Sequence, residues 1–219
     1  MVVDTIRAKE FSMKASRITS MGQLFSLAKA NQVMSMDELK KLLQHASYES
    51  RMGAICIMDF QARNKRITTE HRKELYDLYI SHHAKYIDTW DMVDRGAAYI
   101  VGGYLHDRSR TILYKLAKSQ IIQERRTSIV ATYYFIRQND LEDTFKIGEI
   151  LVHDKEDSIN KAVGSWIREA GKRDQNRLFR FLDKYAATMP RATLRYATEK
   201  LDKKAKAHYM GLSKTIHKS

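Results

Sequence analysis

RRTSIVATYYFIRQ, residues 125–138, can be read in two ways, and the choice sets the fold. Its centre, SIVATYYFI (128–136), is rich in the β-branched and aromatic residues that favour strands. It follows the charged turn QERR, however, and runs on into RQND, so the segment is read as a buried helix, with Tyr133, Tyr134 and Phe135 as core. The rest of the chain agrees. Glycine is scarce and Pro190 is the single proline, while Leu, Ala, Lys, Arg, Glu and Met abound, which favours an all-α chain. Helix starts are legible at Thr68-Thr69 before Glu70, at Asp157-Ser158, and at Met189-Pro190, where proline suits a first helical position.

Working outward from 125–138, three other stretches have the same form, a basic residue leading into an apolar helix: SRMGAICIMDFQAR (50–63), NKAVGSWIREAGKR (160–173) and TLRYATEKLDKKAK (193–206). Arg126 to Lys161 is 35 residues and Lys161 to Arg195 is 34, while Arg51 to Arg126 is 75, close to two such units, with WDMVDRGAAYIVGGYL in the gap. Paired helices repeating at roughly 34 to 47 residues mark an α-solenoid, in which inner helices line a concave surface. The alternative is an irregular bundle with evenly spaced helices. The organisation expected is one repeat domain over residues 1–210 and a basic tail at 211–219.

Composition removes several classes. At 219 residues and 43% hydrophobic content the chain suits a globular protein with a real core. No apolar run of membrane-spanning length appears, and the start MVVDTIRAKEF contains an acid and no long apolar stretch, so an intracellular, cytoplasmic protein is expected. The one cysteine, Cys56, lies in the apolar run MGAICIMDF and reads as a buried structural thiol. His82 and His83 have no acidic or thiol partner at ligand spacing and read as surface or junction residues. No metal or organic cofactor is expected.

Charge then suggests what the concave face meets. Lys and Arg outnumber Asp and Glu by 39 to 26, and residues 151–219 hold 16 basic against 8 acidic residues. Basic residues recurring in phase at the start of inner helices would form a stripe matched to a phosphate backbone. Taken one by one, the same residues suit solvated helix faces.

WDMVD (90–94), RRTSIV (125–130), NKAVGSWIREAGKRD (160–174) and MPRATLRYATEKL (189–201) resemble, in this order, the signature segments of the AlkD-type DNA alkylation repair glycosylases, which are built from HEAT-like repeats. The resemblance covers roughly residues 16 to 210. It implies a C-shaped all-α solenoid with a DNA-binding groove, acting as a monomer on duplex DNA that carries alkylated bases, with no obligate protein partner and no membrane. Little precedes RITSMGQLFSLAKAN (17–31), so the first helix or two are expected to be shortened. The resemblance makes Asp94 the catalytic carboxylate and Trp90 an aromatic wall of the lesion site. It places Arg126 on the DNA backbone, with Lys161, Arg168, Lys172 and Arg191 as further DNA-binding positions. The family has a tryptophan directly after the glycine of its KAVG segment; here Ser165 follows Gly164, and Trp166 comes one place later. One residue is about 100° of helix, so Ser165 is expected to face the groove and Trp166 to turn toward the neighbouring repeat. Both are carried in the DNA-binding set.

The chemistry can be argued from the residues alone. On a helix Trp90 and Asp94, at i and i+4, share one face. A purine alkylated at N3 or N7 is cationic and leaves without a general acid, through an oxocarbenium-like sugar that a carboxylate stabilises while it orients water. An indole face adds cation–π attraction of about 0.5–2 kcal/mol. Position alone favours a tryptophan packed at a repeat junction and an aspartate that caps a helix or pairs with Arg95 or Arg126; the resemblance reverses that preference. Asp91 reads as a first-turn acid favoured by the helix dipole. Two other functions stay open: a catalytically weak or inactive relative that binds distorted or branched DNA, and a protein-binding solenoid.

Overall fold

A computed structural model describes the backbone of residues 2–212 and the side chains of residues 6–212. The chain divides into two compact units, Met1–Arg108 and Ser109–Ser219. Among the described residues the structure is all-α, and its only β feature is one isolated bridge between His83 and Ile87.

The first unit contains α1 (Val2–Ala15), α2 (Met21–Ala30), α3 (Met36–Leu43), α4 (Tyr48–Ala62), α5 (Thr69–His82) and α6 (Trp90–Gly96), then a π segment (Ala97–Gly102) and α7 (Gly103–Leu105). Helix α1 precedes the stretch 17–31. Serine and threonine caps set several starts: Ser20, Ser35, Ser47 and Thr68 each accept a backbone N–H of the first turn, and Ser35 forms a reciprocal capping box with Glu38. Helix α4 is the core of this unit. Met52 to Asp59 are all buried, and α4 packs against α2, α3 and α6. Cys56 is among these buried residues, and burial pushes its thiol up to about 12, so it is a packing residue. His82 is also buried, between the Gln44 amide and the Leu78 carbonyl.

The second unit contains α8 (Thr111–Leu116), α9 (Ile122–Arg137), α10 (Glu142–Leu151), α11 (Asp157–Gly171), α12 (Gln175–Tyr185), α13 (Arg191–Ala197) and α14 (Lys203–Leu212). The segment 125–138 is helical, as read, within α9. Phe135 is fully buried, while Tyr133 and Tyr134 are half-buried. Asn139 ends α9 with φ 61°, which lets Asp140 N–H reach the Phe135 carbonyl and close the last turn. Helices α9, α11 and α13 begin at 122, 157 and 191, so the 34–35 residue period is realised as a layer in which α11 packs on both neighbours. Helix α10 packs against α9 and α11, and α12 against α11. The α11–α13 contact is closest at Gly164, where a Cβ would come within 2.5 Å of the Thr193 carbonyl oxygen. Helix α11 starts at Asp157 as read, and Pro190 stands one place outside α13, as its N-cap. Of the expected tail, Gly211 and Leu212 end α14, and 213–219 lie outside the described residues.

Candidate nucleic-acid interface

Two sets of contacts to α4 hold α6 in one rotation. At its first turn, Asp91 accepts hydrogen bonds from the Tyr48 hydroxyl, from Thr89 Oγ1 at 2.5 Å and from the Met92 N–H at 3.0 Å. Burial alone would raise the Asp91 carboxyl, but these donors outweigh it and hold the group below the usual carboxylate range. One turn on, Arg95 Nη2 lies 3.0 Å from Asp59 Oδ2, and its guanidinium sits 4.7 and 4.9 Å from the ring centres of Phe25 and Phe60. Asp59 is fully buried and also receives Nε of Arg63 at 2.8 Å. With Met92, Val93 and Gly96 in the core, Trp90 and Asp94 fall about 40° apart on one edge of the helix. Trp90 is 60% exposed and Asp94 is half-buried. The Trp90 ring is not covered as a tryptophan packed at a repeat junction would be, and Arg95 makes its ion pair with Asp59. The π segment follows at once, its widened turn closed by the Gly103 N–H on the Ala98 carbonyl.

In the second unit, Lys161, Ser165, Arg168 and Lys172 stand at i, i+4, i+7 and i+11 of the α11 region, on one face turned away from the buried Val163, Ile167 and Ala170. Their charges are not bare. Lys161 Nζ is 2.5 Å from Asp157 Oδ2, Arg168 bonds Glu169 and Glu199, and Lys172 Nζ is 2.7 Å from Glu169 Oε1. The hydrogen bond to Asp157 raises the Lys161 amine, and the nearby cations hold Glu169 below its ordinary value against the opposing effect of burial. Arg191 is exposed, and its Nη1 donates to the Met210 carbonyl of α14 at 2.6 Å.

Two of the expected DNA-binding positions do not stand on this face. Trp166 is packed toward α9, its Nε1 donating to the Val130 carbonyl at 3.2 Å and its ring edge-on to Tyr133, because one residue past Ser165 the helix faces its neighbour. Arg126 is 6% exposed, with Nη1 donating to the Ser158 carbonyl at 2.5 Å, which ties α9 to the first turn of α11. The Tyr48–Asp91 and Asp59–Arg95 contacts were missed in the sequence. Their one signal was Asp59 itself, a carboxylate at the end of the apolar run MGAICIMDF that needs a partner once buried. Among the described residues no group of three His, Cys, Asp or Glu is placed to hold a metal, and no helix is long and apolar enough to cross a membrane.

A layered all-α chain with one cationic helix face and an exposed indole beside a carboxylate has the features of a nucleic-acid-binding repair protein. The family model described as "DNA alkylation repair enzyme" matches residues 15–201, and the chain belongs to that family. Among solved structures it is similar to the X-ray crystal structure of AlkD2 from Streptococcus mutans, with a TM-score of 0.60 at 15% identity over 91% of this chain and 99% of that one, a likeness of fold. No curated protein matches the chain.

Proposed function

We propose that the protein is a DNA glycosylase that hydrolyses the N-glycosidic bond of cationic 3- and 7-alkylpurines in duplex DNA. The observation that carries this reading is the pairing on α6 of an exposed Trp90 with Asp94 one turn away, on a helix clamped by Asp91 and Arg95. The C1′–N bond breaks with its electron pair going to the base, which becomes neutral. Asp94 stabilises the positive charge left on the sugar and orients the water that adds to C1′, and the water's proton passes to the carboxylate or to solvent. Trp90 offers its face to the cation. The face carrying Lys161, Arg168 and Lys172 binds phosphates. Arg126 supports α11 from beneath. The chemistry asks for no metal or organic cofactor, and a monomer suffices.

Release of 7-methylguanine from alkylated duplex by the wild type, lost in Asp94→Asn with affinity for undamaged duplex equal or higher, is the expected result. Unchanged release by Asp94→Asn would remove the carboxylate from the mechanism. A second reading, binding of distorted or branched DNA without base release, is favoured by one observation: Trp166 is packed on α9, so the face of α11 offers Ser165 where the resemblance implies an aromatic. Tight binding of a branched duplex with no release by the wild type would establish it.

A further inference from the structure

At the carboxyl end of α11 lies a cavity of about 180 Å³ whose lining includes Arg168, Lys172, Gln175 and Lys200, with Leu178 and Leu201. Three cations meet there from two places in the chain, α11 and the turn after α13. Their present partners are two carboxylates. Glu169 takes Arg168 at 3.1 Å and Lys172 at 2.7 Å, and Glu199 takes Arg168 and, at 3.3 Å, Lys200. Three positive charges against two negative leave the cluster one unit short of neutral, the charge of a phosphodiester. Lys200 belongs to neither the expected site nor the face of α11, yet it lines the same cavity as two residues of that face.

We infer that this cavity is a phosphate-binding pocket for the DNA backbone, with Lys200 as an additional phosphate ligand and Glu169 and Glu199 as internal stand-ins that hold the cations in place until DNA displaces them. The inference rests on the proposal that α11 faces DNA. Its geometry follows from α11. A backbone lying along Lys161, Ser165 and Arg168 reaches the end of the helix at Lys172, where the cavity opens beside Lys200. Arg168 is mostly covered and is held between the two glutamates, so its planar fork is already ordered for a bidentate anion. Glu199 is held below its ordinary value by its hydrogen bond to Lys200 and the charge of Arg168, so it is an anion over the whole physiological range and competes with phosphate throughout.

The test is fluorescence anisotropy with a labelled, undamaged duplex over a salt series, using the full chain and the variants Lys200→Ala, Lys200→Arg and Glu199→Gln. The Lys200 side chain is exposed, so its replacement leaves the thermal transition in place. Lys200→Ala should weaken binding several-fold for every sequence and lower the log–log salt slope by about 0.9, one phosphate contact. Lys200→Arg should keep most of the affinity, and Glu199→Gln should tighten binding because the stand-in has lost its charge. Wild-type binding with an unaltered affinity and slope in Lys200→Ala would overturn the pocket alone, as would weaker binding by Glu199→Gln. A Lys200-dependent rise of the wild-type Tm with inorganic phosphate, with DNA binding still indifferent to Lys200→Ala, would make it a free-anion site and overturn the backbone assignment. No binding of any duplex by the wild type would fail the proposed function itself.

Discussion

Trp166 Nε1 donates to the Val130 carbonyl oxygen across the α9–α11 contact, and this hydrogen bond shows that α11 has not rolled to carry the indole outward. Trp166→Ala should therefore act on stability, lowering it by about 2–4 kcal/mol, since a half-buried ring is lost and a carbonyl loses its donor. Ser165→Trp should restore an aromatic on the solvent face and raise base release several-fold, the equivalent of about 1 kcal/mol. Urea denaturation and single-turnover release of 7-methylguanine separate the two effects. A Trp166→Ala protein with normal stability and lost excision would contradict both.

Trp90 presents the opposite case. Because its ring is mostly in solvent, Trp90→Ala should change stability by no more than about 0.5 kcal/mol. If the ring faces a cationic sugar or base, the same change should slow release by roughly 2- to 30-fold. Trp90→Phe should recover part of that rate. A Trp90→Ala variant that unfolds early would mean that the ring is a packing element.

How much of this was legible depends on whether a residue's role is local. The helix at 125–138, the 34–35 residue period and the turning away of Trp166 follow from periodicity, which acts within one element. Arg126 is less legible: the resemblance sets it on the DNA backbone, while its guanidinium donates to the Ser158 carbonyl, a partner 32 residues away that no local rule supplies. The carboxylates on Lys161 and Lys172 were open to reading, since Asp157 and Glu169 stand four and three residues away on the same helix. Asp91 with Tyr48 and Arg168 with Glu199 were not, because 43 and 31 residues separate the partners and no local rule pairs them.

His82 gives the pH dependence a sign. In the folded state burial lowers its imidazole below the ordinary value, with Lys40 and Lys85 acting in the same direction and the bond to the Leu78 carbonyl opposing. The unfolded chain therefore binds the proton more readily. His82 contributes stability that is fully present above about pH 6.5 and is lost as pH falls toward the folded value. Between about pH 7.5 and about pH 5.5 the Tm of the wild type should fall more than that of His82→Gln. Asp91 acts lower down, since its depressed carboxyl gives up stability only below about pH 4. Parallel Tm curves for the two proteins would show that His82 does not titrate in this window.

Asp59 accepts two arginines that are not equivalent. The Arg63 side chain is 43% exposed and can turn to water, whereas that of Arg95 is 21% exposed and held between Phe25 and Phe60. Asp59→Ala should lower stability by about 3–5 kcal/mol, because it strands the Arg95 guanidinium without its counter-ion. Arg63→Ala should cost less, because Asp59 keeps Arg95 as its counter-ion and no buried guanidinium is stranded. Arg95→Met keeps much of the packing volume between the two rings but leaves Asp59 with Arg63 alone, so the carboxyl, already raised by burial, should rise further. Because Arg95 follows Asp94 directly, Asp59→Ala should also loosen α6 and slow base release beyond what its unfolded fraction explains. That excess is measured well below the Tm, where wild type and variant are both folded. Equal destabilisation by Asp59→Ala and Arg63→Ala, with release scaling only with the folded fraction, would reduce the cluster to a surface ion pair with no hold on the helix that carries Trp90 and Asp94.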